Sequence, residues 1–524
     1  MTRAASVAVV WFRRDLRVHD HPALVHAVER FDRVAPLFVV DDRLLLGLAA
    51  AAKEGARGPT SCGDRPVGCP SRAWFMGRSL AALSGSLGDV GADLSILRGD
   101  SVDVVPRFAA AMGAQAVIVS RDYAPYGRRR DAAVEAACRR LGVEFVARPG
   151  VLVHEPEAVR RLDGGSFSVF TPFHRAWGAA EPRPVLGAPP KIAGVRRPGY
   201  ARRTIENVLG DVRPTAQPGL IPEPGEPAAR RRLEEWVLSS RLARYGADRD
   251  RLDLPGTSRL SQDLRWGLVS PVEVLARSGG PGEAVADRPA GAPRGDRPSV
   301  ARFTSEIAWR DFYAHLLWHR PQLARESLRP EFDGLWRGDE RVAEAWRRGR
   351  TGIPFVDAAM RQLLESGWMH NRARMIVASF LTKQLGIDWR VGAAHFMAHL
   401  VDGDVASNSG GWQWAASTGT DAQPWFRVFN PVRQALRYDP EGDYVRRWVP
   451  ELARRSDLAG GAVHQPPPGA YLPPIVDQAE GRLEALAAYR EARARHSSGS
   501  GPTLATRRKG ALRPSKATFR APPS

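Results

Sequence analysis

Strand-length runs of Val, Ile, Ala and Phe crowd the first 150 residues and almost vanish afterwards, and this break constrains the fold more than any other feature. The runs at 7–12, 34–40, 94–97, 116–120 and 144–147 are separated by segments of helical period at 22–31, 71–87 and 127–141. Strands that alternate with helices pair in parallel, because each connection must cross over the sheet, and both sheet faces are then covered. Residues 1–150 therefore read as an α/β domain with a Rossmann-like parallel sheet. Pro22, just after Asp20, suits the first position of a helix. Residues 151–229 form a Pro- and Arg-rich connector between two bodies. From 230 to 495 the pattern is all-α, with helices expected at 230–245, 300–318, 356–365, 371–385 and 392–400. The loop 47–70 and the insertion 279–298 are rich in Gly and Pro, and the tail 496–524 has six basic residues and no acidic one. Such a tail is expected to be disordered.

Charge narrows the partners. The net charge is +19, and of 76 Lys and Arg residues only five are Lys. That excess favours a polyanion, since neutralised phosphates release counterions. No apolar run of 18 residues and no separate basic amphipathic helix is present, so no membrane partner is expected. The apolar start at residue 7 is cut short by Arg13 and Arg14, which reads as a buried strand and not as a secretory signal. Three cysteines (Cys62, Cys69, Cys138) without a Cys-x-x-Cys make no disulfide framework and point to a cytoplasmic protein. The pairs His315/His319 and His395/His399 have helical spacing but lack the adjacent Glu of a zinc motif, so no metal is expected.

Chemistry concentrates in two runs of the helical half. One is Trp368-Met369-His370-Asn371-Arg372-Ala373-Arg374-Met375. The other extends from Asp402-Gly403-Asp404 through Asn408 to Gly410-Gly411-Trp412-Gln413-Trp414 and on to Asp421. The Gly and polar content of 410–421 argues against a simple core helix. Each tryptophan taken singly reads as core filling, and Asn408 alone reads as a turn residue. Core filling does not explain carboxylates, amides and arginines interleaved with indoles over fifty residues.

With those runs, Trp11-Phe12-Arg13-Arg14-Asp15-Leu16-Arg17, Thr257-Ser258-Arg259-Leu260-Ser261 and Trp309-Arg310-Asp311-Phe312-Tyr313, the sequence resembles the photolyase and cryptochrome family. Within it the class I cyclobutane pyrimidine dimer photolyases match from Val7 to about Tyr489. The resemblance implies FAD in the helical domain and UV-damaged DNA as partner. Thr257, Ser258, Arg259 and Leu260 match the loop that binds the flavin phosphates, with Tyr245, Ser261, Arg310 and Trp368 as flanking contacts. Arg374 and Asp402 match the ion pair beside the flavin ring, Asp404 a ring-edge position, and Asn408 the residue facing the redox-active ring nitrogen.

For the substrate, the resemblance implies that Glu306 and Asn371 hydrogen-bond the pyrimidine edges. Trp309 and Trp414 stack on the dimer, and Met375 packs against it. Glu306, Trp309 and Arg310 lie at i, i+3 and i+4 and share a helix face; a desolvated, protonated Glu306 would suit the reaction, whereas a plain ion pair with an Arg is the structural alternative. Trp412, Trp389 and Trp336 match an electron-transfer chain. Arg427, with Arg372, matches the DNA-binding surface. A second, antenna pigment is expected in the α/β domain. Gly127 stands where the folate-binding members carry Glu, and Pro125-Tyr126-Gly127-Arg128 looks more like the 8-hydroxy-deazaflavin members than the methenyltetrahydrofolate ones; Arg72 matches loosely near that pigment.

Three positions depart from the family pattern or bear on its rivals. Gln262 replaces the usual Pro, and Phe303 stands where several members carry Trp. His370 matches one of the two active-site histidines of the (6-4) photoproduct photolyases, but Asn371 and Met375 do not fit that set. The expectation is a monomeric, light-dependent dimer-splitting lyase; the alternative is a cryptochrome-like blue-light sensor without repair activity.

Overall fold

The computed structural model describes residues 5–45, 68–195, 208, 210–279, 297–420 and 424–497. Cys62 and most of the loop 47–70, most of the insertion 279–298, Asp421 and the tail from 498 onward lie outside the described residues. All five expected strands are present: β1 (Val7–Phe12), β2 (Arg33–Val40), β3 (Ser95–Arg98), β4 (Ala116–Ser120) and β5 (Glu144–Arg148). They form one parallel sheet in the order β3-β2-β1-β4-β5.

The central strand shows why the sheet is covered on both sides. Side chains alternate between faces along a strand, and in β1 both faces are apolar. Val7, Val9 and Trp11 enter a core with Val105, Phe108 and Val134. Those partners belong to α3 (Ser101–Met112) and α4 (Pro125–Arg140). Ala8, Val10 and Phe12 enter the opposite core, with residues of α1 (Pro22–Arg30) and α2 (Pro70–Asp89). Pro22 opens α1 as expected, and the cap is His21, whose Nδ1 accepts from the Leu24 N–H at 3.0 Å. The helix α3 had no counterpart in the sequence reading; it contains Pro106, and it is begun by the Asp100 side chain and ended by Gly113 at φ 63°.

The second core does not stop at the α/β half. It continues without a break through Trp236, Tyr245, Phe303, Phe312 and Val401. The connector also contributes: α5 (Phe170–Ala179) packs Phe170, Phe173 and Trp177 into the same core. The helical half is built from α6 (Glu226–Leu238), α7 (Arg297–His319), α8 (Pro354–Ser366), α9 (Asn371–Ser379), α10 (Trp389–His399), α11 (Val405–Ala415) and α12 (Gln478–Ser497), with shorter helices between them.

Three expectations are corrected. The helix expected at 230–245 is α6 and two short helices, because Ser239 turns extended and its Oγ donates to the Trp236 carbonyl at 2.9 Å. The Gly-rich run at 410 is helical within α11: a Cβ on Gly410 would stand 2.2 Å from the Tyr313 ring, so glycine lets α11 press against α7. The helix expected at 371–385 changes pitch. After Ser379 it becomes a π-helical turn, Phe380–Gln384, and π turns recur at functional sites.

That turn aims two buried side chains at one segment. Lys383 Nζ donates to the Arg427 carbonyl at 2.9 Å, and Gln384 Nε2 to the Phe429 carbonyl at 2.8 Å. Burial pushes the Lys383 ammonium down to about 7. Above that pH the folded chain has released a proton that the unfolded chain keeps until about pH 10, so stability rises with pH across this window. Lys383→Met is expected to flatten the rise, checked by denaturant titrations at pH 7 and pH 9; an unchanged slope would mean that Lys383 stays charged when folded.

Candidate active site in the helical half

The loop before the Ser261–Trp266 helix is shaped by local bonds. Arg259 takes φ 52° and lays its guanidinium over the Trp368 ring at 4.1 Å. Trp368 Nε1 donates to Ser261 Oγ at 3.2 Å, and the Leu260 N–H donates to Ser258 Oγ at 3.4 Å. Gln262, which departs from the family pattern, donates from Nε2 to the Arg259 carbonyl at 2.6 Å and to Asp263 at 2.8 Å. Its amide thus ties the turn that a proline ring would stiffen. Asp263 is clamped by two nitrogens of Arg232, at 2.6 and 3.1 Å. The result is a fixed loop with the Thr257 and Ser258 side chains half-buried at its surface.

Across α9 stands a polar cluster. Arg374 Nη2 donates to Asp402 Oδ2 at 2.7 Å, while Arg374 Nε holds the Met369 carbonyl at 2.8 Å. The other oxygen, Asp402 Oδ1, is buried without a partner. Asn408, on α11 and not in a turn, donates from Nδ2 to the Ala393 carbonyl at 3.0 Å. That bond fixes the amide and leaves its oxygen as the free acceptor. Tyr245 is buried edge-on between Trp236 and Phe303, with ring centroids 5.8 and 5.4 Å away.

On the other side of α9 an open cleft of about 500 Å³ is lined by Arg249, Asp250, Arg302, Glu306, Trp309 and Arg372. Glu306 accepts from Arg249 Nη1 at 2.6 Å, and Arg372 Nη2 donates to Asp250 at 2.5 Å. The desolvated acid expected at Glu306 is not found: its side chain is 31% exposed and ion-paired. Asn371 opens α9 with its amide 3.9 Å from Met375 Sδ. Asn371, Met375 and Trp414 are not among the residues that line the cleft. His370 caps α9, its Nδ1 accepting from the Arg372 N–H at 3.1 Å, and burial lowers its pKa to about 4.

Two residues expected as cofactor contacts also tie the halves together. Asp404 pairs with Arg14 of the α/β half at 2.5 Å and accepts from the Ser407 N–H at 3.0 Å. Burial alone would raise its pKa, but Arg14 and Arg265 hold it well below the carboxylate range. Arg310 donates to the carbonyls of Val151 at 2.7 Å and Leu264 at 3.3 Å. Both charges close the seam between the halves because their nearest partners belong to it. Arg72, matched loosely to an antenna pocket, instead caps the end of α10 through the Met397 and Leu400 carbonyls.

Trp389 and Trp412 are buried in one core that Trp336 and Trp414 flank. The ring partners of Trp412 are Trp346, at 6.0 Å, and Phe396, at 4.9 Å. The sequence reading missed Trp346, which looks like any core indole without its neighbours. It also missed Gly392, where a Cβ would lie 2.1 Å from the Trp412 ring.

Residues 8–190 match the family description "DNA photolyase", and residues 303–491 match "FAD binding domain of DNA photolyase". A deoxyribodipyrimidine photo-lyase of Agrobacterium fabrum is 37% identical, over 93% of this chain and 98% of that protein. The chain belongs to the DNA photolyase family. The same enzyme of Streptomyces griseus is 40% identical, over 91% of this chain and 98% of its own. A class III photolyase from Agrobacterium tumefaciens superposes with a TM-score of 0.81 at 35% identity, over 94% of this chain and 99% of that one.

The polar cluster fits the FAD that the photolyase helical domain implies. The unpartnered Asp402 Oδ1 suits a ring N–H, the free Asn408 oxygen suits a ring nitrogen that carries a proton, and Arg374 suits a ring carbonyl. The hydroxyls of the 257–261 loop suit phosphates. Asn408 lies on α11, two residues before the Gly410 that lets this helix approach α7. Gly410→Ala is expected to cost about 1–3 kcal/mol by overpacking and to lower FAD retention, measured by thermal unfolding and by flavin absorbance after gel filtration. An unchanged midpoint would show that Tyr313 moves aside without cost.

Proposed function

We propose that this photolyase splits cyclobutane pyrimidine dimers in UV-damaged DNA, as a monomer in the cytoplasm, with the class I assignment of its lesion-facing residues. The observation that carries the reading is that α9 joins the two sites. Arg372 lines the open cleft, and Arg374, two residues on, holds Asp402 in the polar cluster. A lesion in the cleft would therefore lie one helix away from the flavin.

When bound and reduced, FAD supplies under blue light the one electron that opens the dimer and takes it back. The chain positions the reactants. Unstacking a base costs a few kcal/mol, least for a damaged one, and stacking on an aromatic ring returns about 1–3 kcal/mol per base. Trp309, half-buried on the cleft wall, is that ring, and Trp414 the second. Arg249 and Arg372 offer phosphates a positive lip, and Arg427 extends it. Glu306 leaves Arg249 to accept from the pyrimidine edge, and Asn371 donates beside it. Arg374 and Asn408 hold the flavin ring, Asn408 without adding a negative charge. Trp412, Trp389 and Trp336 form the path by which oxidised cofactor is recharged.

His370 argues against the (6-4) photoproduct. A pKa of about 4 keeps it neutral at physiological pH, and its Nδ1 is committed to the helix cap, so it makes a poor proton donor. In the α/β half we favour a deazaflavin antenna over a folate. A Cβ on Gly127 would meet the Asp122 carboxylate at 2.2 Å, and Arg130 and the Ala124 N–H hold that carboxylate in place.

An oligonucleotide with one thymine dimer, given reduced protein, is expected to be restored in blue light and untouched in darkness. Glu306→Ala is expected to slow repair about 10- to 100-fold, the worth of one charge-assisted hydrogen bond. No repair despite bound and reducible FAD would replace this reading with the blue-light sensor.

A further inference from the structure

We propose that Phe170 is a positioning residue of the lesion site, and that the segment 168–170 braces the cleft indole Trp309 and ties it to the helix that carries Trp414. The inference rests on the reading that Trp309 stacks on the lesion. Phe170 is buried, and its ring lies parallel to that of Trp309, with centroids 3.7 Å apart and planes 7° from each other. At that spacing one indole face is closed by van der Waals contact. Trp309 also lines the cleft, so the face open to a base is the one away from Phe170.

The same segment reaches the turn after α11, the helix of the second indole in the proposed reading. Thr420 Oγ1 donates to the Ser168 carbonyl at 2.7 Å. Thr420 lies in the turn that follows α11, the helix that carries Trp414, and this turn is tied to α11 by the Thr418 and Gly419 N–H groups on the Gln413 carbonyl. Within three residues the chain therefore touches the supports of both indoles.

The brace is anchored independently of Phe170. Phe173 packs on Phe312 at 5.1 Å and on His315 at 5.3 Å, and Trp177 Nε1 donates to Asp311 at 3.1 Å. Phe170 shares that core, with the His174 ring at 5.3 Å and the Phe312 ring at 5.6 Å, but only its parallel stack on Trp309 meets a ring that lines the cleft. A pre-stacked indole has less freedom to lose when a base arrives, which raises affinity without a new contact.

The test uses full-length, FAD-loaded protein and the ratio of affinities for duplexes with and without a thymine dimer. Phe170→Leu is expected to lower that ratio about fivefold with FAD content unchanged, and Phe170→Tyr to restore it. In a Trp309→Ala background Phe170→Leu is expected to add nothing. Thr420→Val, which leaves the aromatic packing alone, is expected to cost about twofold. An unchanged ratio in Phe170→Leu overturns the proposal, as does an equal effect in the Trp309→Ala background or a loss that Tyr does not restore. If Trp309→Ala alone leaves dimer affinity intact, the lesion reading of Trp309 is what fails.

Discussion

The buried guanidinium of Arg17 joins the two halves. Its nitrogens donate to the carbonyls of Asp20, Gly150 and Gly267, which belong to the loop after β1, the end of the sheet domain and the helical half. Three chain segments are thus held by one planar donor set, an arrangement for which arginine is suited and lysine is not. Around it the Leu16 N–H donates to the Trp266 carbonyl, and the Val18 and His19 N–H groups donate to Glu226. Gly267, at φ 63°, admits the Arg14 carbonyl where a Cβ would stand 2.1 Å from it. The flavin-side cluster inherits its position from this joint, because Arg14 of the same loop pairs with Asp404, the residue that caps α11.

Much of this was legible in the sequence, for reasons that differ by region. The five strands were legible because a doubly covered sheet needs unbroken apolar runs, and β1 with its six buried residues is the clearest. The Arg374–Asp402 pair and the Asn408 amide were expected from resemblance alone, since no spacing rule brings residues 28 positions apart into contact. What escaped depends on tertiary partners. The helix α5 hides among prolines and is sustained by Phe312 and Asp311 of α7. The seam ties of Asp404 and Arg310 escaped as well, since Arg14 lies 390 residues from Asp404 in the chain.

Arginine-rich composition suggested a surface made for polyanions, and the structure divides that charge between two uses. Arg17, Arg232 and Arg310 are internal ties whose nitrogens meet carbonyls or carboxylates. Arg249, Arg302 and Arg372 line the cleft, where Arg249 and Arg372 already hold Glu306 and Asp250. A phosphate that takes Arg249 or Arg372 must displace a carboxylate from it, so each such contact exchanges one anion for another.

The core shared by the two halves has a consequence for how the chain is made. The core under α1 and α2 is continued by residues between 229 and 323. Synthesis proceeds at about 5–20 residues per second, so the finished sheet domain waits roughly 10–35 s on the ribosome before α7 has emerged, given those rates. During that interval the far side of α1 and α2 lacks the residues that continue its core. Slower translation across the connector would lengthen that interval, so the pace of synthesis there sets how long the core stays incomplete.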